Sequence, residues 1–239
     1  MLLCSGLAGA AEPSLWMEWL ASGDASTPFS FNPGDLGDVT ADQNGGMIYS
    51  GSLLGDTWQM SWTTRIRNES GNAYMDTGIS VINLSSESQT FSLDTRMSLS
   101  DPLTNPDSVE LAGSLALTNT DFTGTAEVMD DMGDSIIQAS LNGDASPSIF
   151  DGPYMLQAIN PFSSAVDSAA TSMVAPSELL EQMSLLTRFQ LSPGDLLNIT
   201  IVMDVNDIPA PGVLSILALA GIAGTRSRKR PWPAGGSEA

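Results

Sequence analysis

Carboxylates are the main chemically reactive side chains of this sequence. Its 239 residues include 28 Asp and Glu against 8 Lys and Arg, and they contain no His. Without His, Ser-His-Asp or Cys-His catalysis and His-ligated metal centres are excluded. A glycosidase needs two carboxylates several ångströms apart, and the candidates Asp94, Glu110 and Glu127 fall on the predicted outward faces of strands. Because no pair stands out, we interpret the acids as a solvated surface and predict that the protein is not an enzyme.

Calcium is the ligand that these carboxylates suit best, because Ca²⁺ binds hard oxygen donors in loops. Two Gly-containing stretches gather such donors: Asp35, Asp38, Asp42 and Asn44 in the first, and Asp130, Asp131 and Asp134 in the second. Neither stretch has the spacing of an EF-hand loop, so an acidic loop in contact with water is the alternative. No other cofactor is expected.

The charged residues are distributed very unevenly. Residues 1–208 hold 27 acids and only four cations, which are Arg65, Arg67, Arg96 and Arg188. Such a body repels phosphate backbones, which excludes nucleic acid as a partner. Cys4 is the only thiol in the sequence, so neither an intrachain disulfide nor a thiolate metal cluster can form.

The first eleven residues have the features of a secretion signal. They form a short apolar run that ends in small residues, and Ala8-Gly9-Ala10 fits a signal-peptidase site. We predict a signal peptide over residues 1–11, which would remove Cys4 from the mature chain. The alternative is an apolar first strand or helix.

The C-terminal region has the features of a membrane-spanning segment. Residues 208–225 contain no charge over 18 positions, which corresponds to roughly 27 Å of helix. The basic cluster that follows belongs on the cytoplasmic side and would stop transfer, so the body is predicted to face outward; it consists of Arg226, Arg228, Lys229 and Arg230. The alternative is a buried core helix with a solvated basic tail, but Ser215 alone interrupts the apolar run.

This order of short Pro motif, apolar helix and basic cluster resembles the PEP-CTERM sorting signal of bacterial exported proteins. The motif here is Pro209, Ala210, Pro211 and Gly212, with Ala in place of the family's usual Glu. The resemblance covers residues 208–230, and nine further residues, 231–239, form a tail. It implies a membrane-held precursor that an exosortase, a transpeptidase-like membrane enzyme, cleaves near the motif.

Alternating apolar residues predict an all-β body over residues 12–207. Five inward faces alternate with polar residues, as half-buried strands require: Trp58 to Ile66, Phe91 to Leu99, Val109 to Leu117, Phe122 to Val128 and Leu197 to Val205. Turn sequences at 44–46, 142–144 and 192–195 separate strands, so we predict an antiparallel β-sandwich. Residues 177–186 are predicted to form one short surface helix capped by Ser177, and 15–20 form a strand or a short helix.

The body also resembles, more weakly, sandwich domains that often precede this sorting signal. Residues 81–91 are similar to their strand-turn-strand hairpin, and residues 189–195 are similar to their penultimate turn. No activity follows from this second resemblance.

Two functions are consistent with these features. The first is an exported surface or extracellular-matrix protein with a structural or interaction role and no catalysis. The second is a cell-surface carbohydrate-binding module, for which Trp16 and Tyr154 are candidate contacts and polysaccharide is the partner. Trp58 and Trp62 could form a sugar-stacking platform, but they share a face with Met60 and Ile66, which favours a place in the core.

Overall fold

The computed structural model describes residues 13–23, 28–69, 71–104, 106–121, 124–175 and 180–206. The chain divides into two compact units, Met1–Pro209 and Ala210–Ala239. The predicted signal peptide, the cap Ser177, the sorting motif, the apolar segment and the basic cluster lie outside the described residues. Among those described, no helix has the length and apolar character needed to cross a membrane.

The first unit consists of two antiparallel sheets, which confirms the prediction of an all-β sandwich. An eight-stranded sheet has the order β11-β10-β14-β7-β1-β2, and β9 joins β14 to β12. Its strands are β1 (Ser14–Ala21), β2 (Phe29–Phe31), β7 (Gln89–Leu103), β9 (Ala126–Met129), β10 (Ile137–Leu141), β11 (Asp144–Ile149), β12 (Met155–Ala158) and β14 (Leu180–Leu191).

A seven-stranded sheet has the order β13-β8-β15-β6-β5-β4-β3. Its strands are β3 (Gly37–Ala41), β4 (Met47–Leu54), β5 (Trp58–Glu69), β6 (Asn72–Asn83), β8 (Ser108–Thr118), β13 (Ser164–Val174) and β15 (Leu196–Asn206). A 3-10 turn, Pro33–Asp35, links β2 and β3.

The core lies between the sheets and is built by the alternation that the sequence predicts. The inward residues of β5, β7, β8 and β15 are buried, and so are Leu15, Met17 and Trp19 of β1. Aromatic rings from neighbouring strands meet at the centre of the core. The ring of Phe91 contacts those of Trp19 and Phe189 at centroid distances of 5.5 and 5.6 Å. Burying such large side chains supplies the main free energy of folding.

The helix predicted over residues 177–186 is wrong, because strand β14 begins at Leu180. Leu180 and Met183 are both buried and three residues apart, a spacing that suggests one face of a helix. The spacing has another cause: the pairing of β14 with β7 shifts register between Leu180 and Gln182. From Met183 onward the burial alternates, and pairing with β7 and β10 on both sides outweighs the local preference.

The three predicted turns are confirmed as tight reversals. Asn142 and Gly143 both have positive φ, 52° and 89°, as a two-residue hairpin turn between β10 and β11 requires. Gly194 has a φ of 75° after Pro193, which fits the predicted type II turn.

Buried Asn83 joins two segments that are distant in sequence, residues 81–91 and residues 189–195. Its Nδ2 donates to the carbonyl oxygens of Leu191 and Ser192 at 3.0 and 3.1 Å. Its backbone carbonyl accepts from the N–H of Gly194 at 2.8 Å. The connection after β6 is thereby fixed against the turn between β14 and β15. The strand-turn-strand hairpin predicted over residues 81–91 is wrong, because β6 and β7 lie in different sheets and this connection crosses between them.

Candidate functional site

The outer face of the eight-stranded sheet carries an exposed tryptophan. Leu15, Met17 and Trp19 of β1 point into the core, so Trp16 and Glu18 point away from it. Trp16 is 44% exposed. An indole in this position presents a large apolar surface and a donor N–H to water.

Strand pairing places polar side chains in rows beside this indole. Trp16 of β1 lies opposite Arg96 of β7, and Arg96 lies opposite Ser184 of β14. In the next row, Asp94 lies between Glu18 and Leu186. Neighbouring strands are about 4.8 Å apart, so the rows bring residues distant in sequence onto one surface. We call the following residues the Trp16 face: Trp16, Glu18, Asp94, Arg96, Gln138 and Gln182.

A groove of about 390 Å³ crosses this face. It is open rather than enclosed, and polar groups of three strands and one turn form most of its wall. The lining residues are Asp94, Arg96, Gln138, Ala139, Ser140, Gly143, Gln182, Ser184 and Leu186.

Arg96 and Asp94 form the charged centre of the groove. The guanidinium Nε and Nη2 of Arg96 both donate to Oδ2 of Asp94, at 2.8 and 2.5 Å. These hydrogen bonds and the carboxylate charge raise the pKa of Arg96. The other oxygen, Oδ1, is buried and accepts no hydrogen bond from the described residues. Because the Arg96 side chain is exposed, the guanidinium N–H groups that Asp94 does not use can donate to a bound hydroxyl.

The three acids considered for catalysis do not come together. Asp94 and Glu127 belong to the eight-stranded sheet, whereas Glu110 is on β8 of the other sheet. Glu127 accepts a 2.6 Å hydrogen bond from Gln157.

In the first acidic stretch, the carboxylate of Asp42 already has partners within the protein. Asp42 forms an ion pair with Arg65 at 3.1 Å, and the backbone N–H of Asn44 donates to Asp42. Asp38 lies on exposed strand β3, and Asp35 ends the 3-10 turn. Across the described part of the chain, no three Asp or Glu residues are grouped to hold a metal ion.

The second acidic stretch is also occupied by protein contacts. Asp130 accepts hydrogen bonds from the N–H groups of Gly133 and Tyr154, both at 2.6 Å. Asp131 and Asp134 lie 2.5 and 3.8 Å from Arg188. These contacts give the carboxylates a structural role, and calcium binding by either stretch stays a prediction.

The other aromatic candidates are held within the fold. Trp58 and Trp62 are buried, which confirms their place in the core and removes them as a sugar-stacking platform. Tyr154 is half-buried, and its hydroxyl donates to Asp167 at 2.9 Å. Burial and this hydrogen bond raise the pKa of Tyr154. Of the aromatic residues that the sequence suggests for carbohydrate, Trp16 is the most exposed.

A second groove lies on the outer face of the seven-stranded sheet, above Gly78. Its volume is about 470 Å³, and short hydroxyl side chains from β4, β5, β6 and β15 surround it. Its lining contains no charged residue, and its one aromatic residue, Trp62, is buried. The Trp16 face offers a wider range of contacts because it adds an indole, an ion pair and two carboxamides.

Glu110 and Asp204 form a carboxylate pair that the sequence did not indicate. They are direct cross-strand partners on β8 and β15, and Tyr74 lies opposite Asp204 on β6. Asn72 Nδ2 donates to Asp204 at 2.7 Å, and Arg67 lies over the ring of Tyr74. Burial, and then the charge of Asp204, raise the pKa of Glu110. Like charges in direct opposition destabilise a sheet.

We expect Glu110→Gln to stabilise the protein at neutral pH. A carboxyl whose pKa is raised by folding favours the folded state when protonated, and this contribution is lost as pH rises through the folded-state pKa. Removing the charge should therefore add about 0.2–1 kcal/mol at pH 7, measured as a higher melting temperature. Below about pH 4, where the unfolded carboxyl is also protonated, the benefit should shrink.

Glu127→Gln is the matched control, because Glu127 contacts the amide of Gln157 rather than an acid. It should not stabilise the fold at pH 7. Equal stabilisation by both variants, or a benefit of Glu110→Gln that persists at pH 3.5, would contradict the assignment of repulsion to the Glu110–Asp204 pair.

No protein-family model matches the chain, and no curated protein is similar to it. Among solved structures, the carbohydrate-binding module TmCBM61, in complex with β-1,4-galactotriose, matches over 62% of this chain and 88% of its own. The identity is 9% and the TM-score is 0.26, a similarity too low to bear on the ligand of this chain.

Proposed function

We propose that the body is a non-catalytic module that binds extended, neutral polysaccharide through the Trp16 face. The observation that carries this proposal is an exposed indole beside an open groove that contains an ion pair and two carboxamides. Sugar rings have an apolar C–H face and a rim of hydroxyl groups. An aromatic surface with hydrogen-bonding groups next to it complements both features.

The individual residues have distinct roles in this proposal. The indole of Trp16 stacks on one sugar ring, and the groove one strand away receives the next ring. The carboxamides of Gln138 and Gln182 donate to and accept from hydroxyl groups. The N–H groups of the Arg96 guanidinium that Asp94 does not use donate to a further hydroxyl.

Neutral chains are favoured over anionic chains because of the charge of the body. Residues 1–208 carry 27 acids and four cations, so the body repels uronates and sulfated glycans at long range. Arg96 does not reverse this repulsion, because Asp94 neutralises it.

The terminal sequences support an extracellular location for this binding. We infer that the protein is exported, held in the membrane as a precursor with its body outside, and processed by an exosortase. The final location would be the cell surface or the extracellular matrix. Binding of exopolysaccharide would then give it a structural role there.

We expect Trp16→Ala to weaken polysaccharide binding about thirtyfold. Loss of a central aromatic contact typically costs about 2 kcal/mol. The measurement is affinity electrophoresis and calorimetry with cellulose oligomers, mannan and galactan as neutral probes and alginate as an anionic probe. Phe29→Ala is the matched control, because Phe29 is an exposed aromatic residue of the same sheet that stacks on Phe31 away from the groove.

The proposal requires that Phe29→Ala binds as the unmodified protein does and that alginate binds more weakly than the neutral probes. Gln138→Ala should reduce binding without lowering the melting temperature. If no neutral probe binds the unmodified protein, or if Trp16→Ala binds normally, the Trp16 face is not a carbohydrate site.

A further inference from the structure

Strand β13 is a long open edge of the seven-stranded sheet. It spans Ser164–Val174, and among the strands that the structure describes it pairs with β8 alone, without any register shift. Proteins commonly protect such edges with Lys, Pro, a bulge or a very short strand. The sequence of β13 contains neither Lys nor Pro, and Asp167 is its one charged residue. Strand β3 at the opposite edge is much shorter, Gly37–Ala41.

The hydrogen bonds that flank the β13–β8 ladder show which backbone groups face outward. The N–H of Ala175 donates to Asp107, and the N–H of Asn119 donates to the carbonyl of Ser163. Odd-numbered residues of β13 therefore bond to β8, because antiparallel pairs alternate. Even-numbered residues direct their N–H and C=O groups away from the sheet: Ser164, Val166, Ser168, Ala170, Ser172 and Val174.

Most of the outward N–H groups have no partner in the described part of the chain. Oδ1 of Asp167 accepts from the N–H of Ser168 at 2.8 Å. For the other five outward N–H groups, no hydrogen bond exists within the described residues. Val166 and Val174 on the same strand are 69% and 79% exposed, so an apolar surface accompanies the open edge.

The strand is complementary to itself. An antiparallel alignment that pairs all eleven residues with a second β13 places Ser164 opposite Val174 and centres on Ala169. In this register the outward residues Ser168 and Ala170 face each other, and each such pair exchanges two hydrogen bonds once the N–H of Ser168 leaves Oδ1 of Asp167. Asp167 lies opposite Thr171, so no acid faces an acid.

Charge permits this pairing despite the acidic body. The two copies of Asp167 are offset by four residues, about 13 Å along the strand, which exceeds the screening length of about 8 Å at physiological ionic strength. From these features we propose that two copies of this chain associate by antiparallel pairing of their β13 strands, which joins their seven-stranded sheets. This inference does not depend on polysaccharide binding.

A cysteine scan of the full chain tests the register directly. In a Cys4→Ser background, Ala169→Cys places the new thiol opposite its own copy, with Cα atoms about 4.5 Å apart, which a disulfide can span. Mild oxidation should link most of this variant as a dimer. Ser168→Cys or Ala170→Cys would face its own copy only if the pairing of the two strands were shifted by two residues. These two variants should therefore cross-link at least fivefold less than Ala169→Cys.

Self-association supplies an independent test. It is measured on the full chain without cysteine substitutions, purified in a mild detergent. Sedimentation velocity should show dimers whose affinity rises with salt, because salt screens the acidic bodies. Ala170→Pro removes an outward N–H without touching the β8 ladder and should weaken the dimer at least tenfold. Val39→Pro is the matched control on strand β3, the other edge of the sheet. The N–H of Asp42 donates to the carbonyl of Gly46 on the β4 side, and because bonding residues alternate along β3, the N–H of Val39 points outward. This control should dimerise as the unmodified protein does.

The proposal is overturned if the full chain stays monomeric at all salt concentrations, if Ala170→Pro dimerises normally, or if the three cysteine variants cross-link equally. Circular dichroism of each variant verifies the folded state. A double variant, Ser168→Glu with Ala170→Glu, places a Glu of one copy opposite a Glu of the other, with both side chains on the outer face of the sheet. This variant should be monomeric, and normal dimerisation by it also overturns the proposal.

Discussion

Trp62→Asp is expected to abolish cooperative folding of the sandwich. Trp62 is 3% exposed, and its ring contacts Phe31 at a centroid distance of 5.3 Å. The ring also fills the space where a side chain at Gly51 would lie, since a Cβ there would meet Trp62 at 2.5 Å. Removing a buried Trp costs about 3–5 kcal/mol, and a buried unpaired carboxylate adds several more. Together these costs approach the typical stability of a domain, about 5–15 kcal/mol.

Trp16→Asp is the matched control for this substitution, because it makes the same chemical change on the outer face. Circular dichroism and thermal melting should show a normal strand spectrum and a nearly unchanged melting temperature for Trp16→Asp. The spectrum of Trp62→Asp should be that of an unfolded chain. Similar melting temperatures for the two variants would contradict the inward and outward assignments of β5 and β1.

Alternation predicts a strand well wherever one of its faces is apolar. In β7 every second residue from Phe91 to Leu99 is buried, so the pattern alone identifies both the strand and its inward face. Strand β13 has small and polar residues on both faces and is partly exposed on both, so this signal is missing. For β14 the signal is present, but a register shift interrupts it, and the resulting spacing resembles a helix.

The candidate site depends on strand order, which a local pattern does not contain. The alternation of buried and exposed residues along β1 places Trp16 outward, and the same alternation along β7 places Asp94 and Arg96 outward. Strand β1 pairs with β7, and β7 pairs with β14, through contacts between residues about 80 to 90 positions apart in the sequence. Gln138 and Gln182 were missed for this reason, because each is an ordinary outward polar residue until the sheet places it beside Arg96.

Truncation after Asp207 is expected to convert a cell-associated protein into one released into the medium. Residues 208–225 offer 18 uncharged positions before the basic cluster, and an apolar segment avoids the cost of inserting Lys or Arg, about 2.5–3.5 kcal/mol each. Cell fractionation and immunoblotting of the medium give the measurement. Leu217→Arg should weaken insertion by a similar free energy, and Leu54→Arg, at an exposed site of β4, is the matched control.

The predicted anchor provides a separate test of processing. Changing both Pro209 and Pro211 to Ala should leave insertion intact, because these residues precede the apolar segment and a missing N–H matters least at the start of a helix. Recognition by an exosortase should fail, so the unprocessed precursor should accumulate in the membrane fraction with its body accessible to external protease. Insertion and processing then respond to different substitutions, so the prediction of a membrane anchor and the prediction of a sorting motif can be rejected separately. A truncated protein that stays as firmly cell-associated as the full chain would place the anchor elsewhere, and normal processing of the double Pro variant would reject the sorting motif.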